Sequence, residues 1–125
     1  MEAVKQGVNV VMWFSINLDV SPETGKPLIT NGPDWDCVAD RVREIAALNL
    51  KTVHIISIGG WNSPHPDTSV SAEEAYENWN HWNRHVIARP EKGFYGFDGF
   101  DWDIEGNHIQ LYFQAKFLSK LSHLG

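Results

Sequence analysis

The sequence has few of the residues that several classes of protein need. It contains a single cysteine, Cys37, which excludes a disulfide framework and a thiolate metal cluster and leaves packing on a helix as its expected role. Lys and Arg number 10 against 16 Asp and Glu, a formal charge of −6, so a nucleic-acid partner, which needs a basic face, is not expected. No apolar run approaches the ~18 residues of a membrane span, and the stretch MEAVKQG lacks the apolar segment of a signal peptide. We therefore expect neither a membrane partner nor a signal peptide in this chain.

What the sequence does contain is an alternation of apolar strands and amphipathic helices over 125 residues. The pattern predicts strands over about 7–18, 51–60 and 96–105, and helices over about 34–48, 71–88 and 108–124. The first strand, GVNVVMWFSINL, is expected to be buried on both faces, and the stretch DVSPETGKPLITNGP after it to be a loop.

The order of these elements, β-α-β-α-β-α, indicates the fold class. It predicts a single α/β domain over residues 1–125, with three parallel strands joined by crossover helices. Two architectures remain open on this pattern alone. One is a small doubly wound sheet, and the other is a section of a (β/α)8 barrel.

The third predicted strand carries an unusual acidic pattern, FDGFDWDIEG. Because alternate residues of a strand share a face, Asp101, Asp103 and Glu105 are predicted on one face, and the intervening large apolar residues on the other. Like charges this close in a shielded interior are expected to raise the pKa of at least one carboxyl group, as an acid catalyst requires. Ligands of parallel α/β folds bind at the carboxyl ends of strands, so Glu105 is the predicted proton donor, with Asp103 as its support.

The preceding strand ends in SIGGW and follows the same geometry. Ser57 and Gly59 are predicted on the face that carries the acidic residues, with Gly59 and Gly60 at the carboxyl end of the strand. Small residues at that place leave room for a ligand or for a bulky neighbour. Trp61, just beyond the strand, could stack on a sugar ring. If SIGGW stood alone, a tight strand-to-loop turn would be the better explanation of it.

The acidic pattern has alternative interpretations. Asp101, Asp103, Glu105 and Gly106 match the first, third, fifth and sixth positions of a calcium loop, but the twelfth position is Tyr112, where a bidentate Glu is required. Half of a two-metal nuclease site would need further carboxylates downstream, and no acidic residue follows Glu105. A purely structural acidic strand, ion-paired or protonated, is the third alternative.

The histidines do not point to a metal site. His54 falls on the apolar face of its predicted strand, where a hydrogen-bonded core histidine is expected. The others considered show no metal-ligand arrangement with any partner: His81, His85, His108 and His123. We therefore predict no metal and no cofactor.

Two motifs of this chain resemble those of a known family. The stretch 98–105, DGFDWDIE, resembles the DGxDxDxE signature of glycoside hydrolase family 18, the chitinases and their relatives. Residues 57–60, SIGG, are similar to the SxGG motif on that family's preceding strand, about 45 residues earlier and with a helix between. The resemblance covers roughly residues 7–124 and implies that the sheet is part of a (β/α)8 barrel, corresponding to its second to fourth strands.

The resemblance also implies a reaction. In this family the 2-acetamido group of the substrate assists its own hydrolysis, with Glu105 as the catalytic acid, Asp103 orienting the acetamido group and Asp101 sharing a proton with Asp103. Trp61, Ser57, Gly59, Gly60 and Asp98 are the residues expected to contact or position the substrate.

The implied function is that of a chitinase-like hydrolase. Its partner would be chitin or an N-acetylglucosamine oligosaccharide, and a full-length form would be extracellular. A complete barrel needs ~250 residues, so we expect this chain to be a fragment or a truncated product. The alternative is a carbohydrate-binding remnant of the same fold that does not catalyse.

Overall fold

Four strands form the sheet on which the molecule is built. The computed structural model describes residues 5–7, 9–60, 66–104 and 111–122. The strands are β1 (Val10–Val20), β2 (Pro27–Thr30), β3 (Val53–Gly59) and β4 (Gly99–Asp103). The helices are α1 (Trp35–Ala46), α2 (Ala72–His81) and α3 (Leu111–Ser122), with a π-helical turn at Trp82–Val86 and a 3-10 turn at Pro90–Lys92. No helix of the described part is long and apolar enough to cross a membrane.

The strands lie in the order β2-β1-β3-β4. β1 pairs with β3 and β3 with β4 in parallel, so the predicted parallel strands and the α/β class are confirmed. β2 is a difference from the prediction, because residues 27–30 were expected to be loop and instead pair antiparallel with the end of β1. That pairing extends β1 to Val20, beyond its predicted end.

The first two of these helices, α1 and α2, begin where the sequence supplies a capping side chain. Asp34 caps α1 by accepting a hydrogen bond from the Cys37 backbone N–H at 3.0 Å, and Ser71 caps α2 by accepting one from the Glu74 N–H at 3.1 Å. Cys37 lies on a helix, as expected, but its side chain is exposed, so the predicted packing role is wrong.

The second helix does not continue as an α-helix to residue 88. It changes at Trp82 into the π-helical turn, where the Ile87 N–H donates to the Trp82 carbonyl at 3.1 Å. The turn buries both Trp82 and Asn83. Asn83 uses that position to bridge the backbone of Phe97, donating to its carbonyl at 3.0 Å and accepting from its N–H at 2.7 Å. The turn thus fixes the segment that leads into β4.

The hydrophobic core lies on one face of the sheet only. Side chains of all three helices pack there in one cluster with the strands, including Ile16, Val38, Ile56, Trp79 and Phe117. On the opposite face, apolar side chains of β1 and β3 are exposed: Val10 by 50%, Met12 by 53%, Phe14 by 59% and Val53 by 46%. The prediction that the first strand is buried on both faces is therefore wrong within the described residues. The three helices of the described residues form one layer, whereas a doubly wound sheet is enclosed by two.

Candidate active site

The direction of the acidic side chains is set by aromatic packing behind β4. Phe100 makes edge contacts with Trp79 at 5.1 Å and with Phe117 of α3 at 5.2 Å between ring centroids, and Trp102 lies 5.2 Å from Phe117. Since these rings anchor one side of the strand in the core, the alternate residues Asp101 and Asp103 point to the other side. The predicted separation of apolar and acidic faces is confirmed for this strand.

Ser57 and Asp101 meet across the two parallel strands. The register pairs Ser57 with Asp101 and Gly59 with Asp103. The Ser57 hydroxyl is fully buried and donates to Oδ2 of Asp101 at 3.2 Å, while the Asp101 side chain is half-buried. A buried hydroxyl with one carboxylate partner fixes the orientation of that carboxylate. The predicted shared face of these residues is confirmed.

The two glycines allow the carboxyl ends of the strands to approach closely. The Gly60 N–H donates to the carbonyl of Asp103 at 2.7 Å. A Cβ atom at Gly59 would lie 2.3 Å from that same carbonyl oxygen, and Gly59 has a φ of +96° that L-residues rarely adopt. At Gly60, with a φ of +120°, a Cβ atom would lie 2.4 Å from Cζ of Phe14. The space left by the glycines is therefore occupied by a neighbouring strand and by an aromatic ring.

Phe14 is a candidate site residue that the sequence pattern did not reveal. Its ring lies over Gly60, at the edge of the sheet where Gly59 pairs with Asp103, and its side chain is 59% exposed. The pairing of β1 with β3 shifts register between Trp13 and Ile16, so strict alternation fails at this point. An exposed aromatic ring beside polar groups is a common feature of ligand sites.

Asp98 lies apart from the other predicted site residues. It precedes β4 at its amino end, about 16 Å along the strand from Asp103. Its Oδ2 accepts from the His54 backbone N–H at 2.8 Å, and its own N–H donates to the His54 carbonyl at 2.8 Å. Asp98 therefore extends the pairing of β3 with β4, and a direct contact with substrate at the opposite edge is not supported by this position.

His54 is the core histidine expected from the sequence. Its side chain is buried, and its Nδ1 accepts a hydrogen bond from Nε1 of Trp13 at 3.1 Å. Burial lowers the pKa of His54, since a charged imidazole is poorly solvated there, and the negative charge of Asp98 opposes that shift. The imidazole is accordingly neutral near pH 7, which fits its role as a hydrogen-bond acceptor.

Two predicted site residues, Glu105 and Trp61, lie outside the described residues. Their assignments as proton donor and as sugar platform stay predictions. In the part of the chain that the structure describes, no group of three or more His, Cys, Asp or Glu side chains could hold a metal ion.

The described site combines carboxylates, a hydroxyl and an aromatic ring at one edge. Asp101 and Asp103 lie roughly 6–7 Å apart along one strand face. Such a pair can accept hydrogen bonds from an amide N–H and can stabilise a positive charge that develops beside it.

Comparisons with known proteins do not add to this arrangement. Neither the protein-family models, nor the curated proteins, nor the solved structures gave a match to the chain.

Proposed function

We propose that the chain is part of a family-18-type glycosidase that cleaves β-1,4-linked N-acetylglucosamine polymers with retention of configuration. The observation that carries the proposal is the Ser57–Asp101 hydrogen bond of 3.2 Å, next to Asp103 at the carboxyl edge of the sheet. This hydrogen bond connects the motif at 57–60 with the acidic motif at 98–105, across two strands whose register pairs Ser57 with Asp101.

The single layer of helices favours a barrel as the architecture, in preference to a doubly wound sheet. Parallel strands are normally covered on both faces, yet Val10, Met12 and Val53 are about half exposed on the face opposite the helices. In a (β/α)8 barrel that face points to the interior and is covered by side chains from the other strands. The described sheet would supply the second to fourth strands of such a barrel.

The proposed reaction has two steps. In the first, the carbonyl oxygen of the substrate's 2-acetamido group attacks the anomeric carbon while Glu105 gives its proton to the departing glycosidic oxygen. The product of this step is a cyclic oxazolinium ion. In the second, Glu105 takes a proton from a water molecule, which adds to the anomeric carbon and opens the ring.

The described residues act on the charge that forms in the first step. Asp103 accepts a hydrogen bond from the acetamido N–H, which aims the carbonyl oxygen, and its negative charge then stabilises the oxazolinium. Asp101 lies on the same strand face and supports Asp103 from the next inward position. Ser57 acts through Asp101, because its hydroxyl holds Oδ2 of that carboxylate and so fixes its orientation.

The experiment uses a protein of full barrel length that contains residues 1–125. Release of a chromophore from a chitobiose glycoside is compared between wild type, Asp103→Asn and the control Glu44→Gln. Glu44 is exposed on α1 and pairs with Arg41, so its change removes the same charge away from the site. We expect Asp103→Asn to lower kcat by at least about a hundredfold and Glu44→Gln to leave it unchanged. Equal activity of all three proteins would refute the proposal.

Carbohydrate binding without hydrolysis is the second candidate function. It is favoured by Phe14, whose exposed ring at the site edge can hold a sugar whatever the state of the carboxylates. Phe14→Ala should weaken binding of chitin oligosaccharides under either function. Turnover distinguishes the two, since the binding protein would hold the oligosaccharide and release no product.

A further inference from the structure

Two histidines form a pair on the outer surface of the second helix. His81 is the last residue of α2, and His85 lies one turn later in the π-helical turn. Both side chains are exposed, whereas Trp82 and Asn83 between them are buried. Their ring centroids are 4.9 Å apart with an angle of 40° between the planes. The two imidazole rings are therefore close neighbours on the surface of this helical segment.

The separation of the two rings fits a shared metal ion. A ligating imidazole nitrogen lies about 2.1 Å from a divalent transition metal, which puts the ring centroid roughly 3.2 Å from the metal. Two such rings have centroids about 4.5 Å apart at a right angle and about 5.2 Å apart at the tetrahedral angle. The observed 4.9 Å lies between these values.

We propose that His81 and His85 are a two-imidazole chelating site for a late first-row divalent cation, Ni²⁺, Cu²⁺ or Zn²⁺. Imidazole nitrogen is a preferred ligand of these ions, whereas Mg²⁺ and Ca²⁺ select oxygen. Water fills the remaining coordination positions. The site lies on the helix layer, on the other side of the sheet from the carboxylates, and is independent of the proposed hydrolysis.

The charges around the pair are compatible with a bound cation. Glu77 lies one turn before His81 and is exposed, so its negative charge attracts a cation to this side of the helix. Arg84 is the nearby positive charge, and its Nε donates to Oδ1 of Asn80 at 3.1 Å. That bond directs the guanidinium to the preceding turn.

A metal held by both rings would connect the α-helical part of this segment to the π-helical turn. A cation that binds the folded chain and not the unfolded one stabilises the folded state by mass action. With free Ni²⁺ at a hundred times its Kd, the expected rise in Tm is up to about 10 °C for a chain of this length. π-helical turns often occur at functional sites, in agreement with a binding role for this one.

Calorimetric titration of the full chain with Ni²⁺ is the direct test. The proteins compared are wild type, His81→Gln, His85→Gln, the double variant, and His65→Gln as a control that also removes one of the six histidines. Because the second ligand binds from a high effective concentration, loss of either histidine of the pair should weaken binding by at least about tenfold. The double variant, which keeps neither imidazole, should bind no more tightly than either single variant, and His65→Gln should bind as wild type does. Retention of wild-type affinity by His85→Gln, or an equal loss in His65→Gln, would overturn the site.

A second measurement on the wild-type protein does not depend on the variants. Diethyl pyrocarbonate modifies accessible imidazoles, and peptide mapping by mass spectrometry locates the modified residues. We expect Ni²⁺ to protect His81 and His85 together, at a concentration that matches the calorimetric Kd. Unchanged modification of both residues at saturating Ni²⁺ would overturn the proposal.

Discussion

Replacement of Gly59 by alanine tests the close approach of β3 and β4 that forms the site edge. The added Cβ would lie 2.3 Å from the carbonyl oxygen of Asp103 and 3.0 Å from the Ile104 side chain. The oxygen belongs to the backbone and also accepts the Gly60 N–H at 2.7 Å, so relief of the clash has to move β4 or break that bond.

Two effects are expected to lower the free energy of unfolding of Gly59→Ala. A non-glycine residue at a φ of +96° costs about 1–2 kcal/mol, and forcing a methyl group into a filled space costs about 1–3 kcal/mol. Together they lower the free energy of unfolding by about 2–5 kcal/mol, which for 125 residues corresponds to a fall in Tm of roughly 8–19 °C.

Gly93→Ala is the matched control for this prediction. Gly93 also has a positive φ, +77°, but no atom lies within 4 Å of its would-be Cβ. The decrease in the free energy of unfolding caused by Gly93→Ala should be limited to the cost of the positive φ, about 1–2 kcal/mol. Both variants are compared with wild type by urea and thermal unfolding followed by circular dichroism. If Gly59→Ala is no less stable than Gly93→Ala, the close approach is not a real constraint and the reasoning fails.

Three further predictions concern the stability and association of the chain. Asn83→Ala removes both bonds to the Phe97 backbone in a buried place and should lower the urea-unfolding free energy by about 2–4 kcal/mol; a loss under about 1 kcal/mol would contradict this role. Burial lowers the pKa of His54 in the folded protein below its usual 6.5. The contribution of neutral His54 to the free energy of unfolding is therefore fully present above pH 6.5 and is lost as the pH falls toward the folded pKa. The free energy of unfolding should therefore change more between pH 7.5 and pH 5.5 for wild type than for His54→Asn. An equal change in the two proteins would refute the assignment of this pH dependence to His54. The open apolar face should make residues 1–125 self-associate or unfold at low temperature, and Val10→Thr with Met12→Thr should reduce the association seen by sedimentation; a wild-type monomer with a sharp transition above ~65 °C would contradict it.

Period-two alternation predicted the site face correctly where the strands are regular. β3 and β4 pair without a register shift, so Ser57, Asp101 and Asp103 share a face as their spacing requires. In β1 the register shift between Trp13 and Ile16 breaks the alternation. Up to Phe14 the exposed residues still alternate, and from Ile16 to Leu18 three successive residues are buried.

Other features depend on contacts that no local pattern encodes. β2 is four residues long and begins at Pro27 within a stretch that contains turn residues, and only its pairing with β1 makes it a strand. The π-helical turn contains Asn83, whose hydrogen-bond partner Phe97 is 14 residues away in the sequence. Asp98 belongs to an acidic motif, yet its backbone and side chain bond to His54, 44 residues earlier.

The most direct test of the central claim is hydrolysis of a chromogenic chitobiose glycoside by a full-length barrel protein with Glu105→Gln. The amide keeps the shape of the side chain and cannot donate the required proton. We expect the variant to bind the oligosaccharide with wild-type affinity and to release no chromophore above the uncatalysed rate. If Glu105→Gln hydrolyses the glycoside at the wild-type rate, Glu105 is not the acid and the account is wrong.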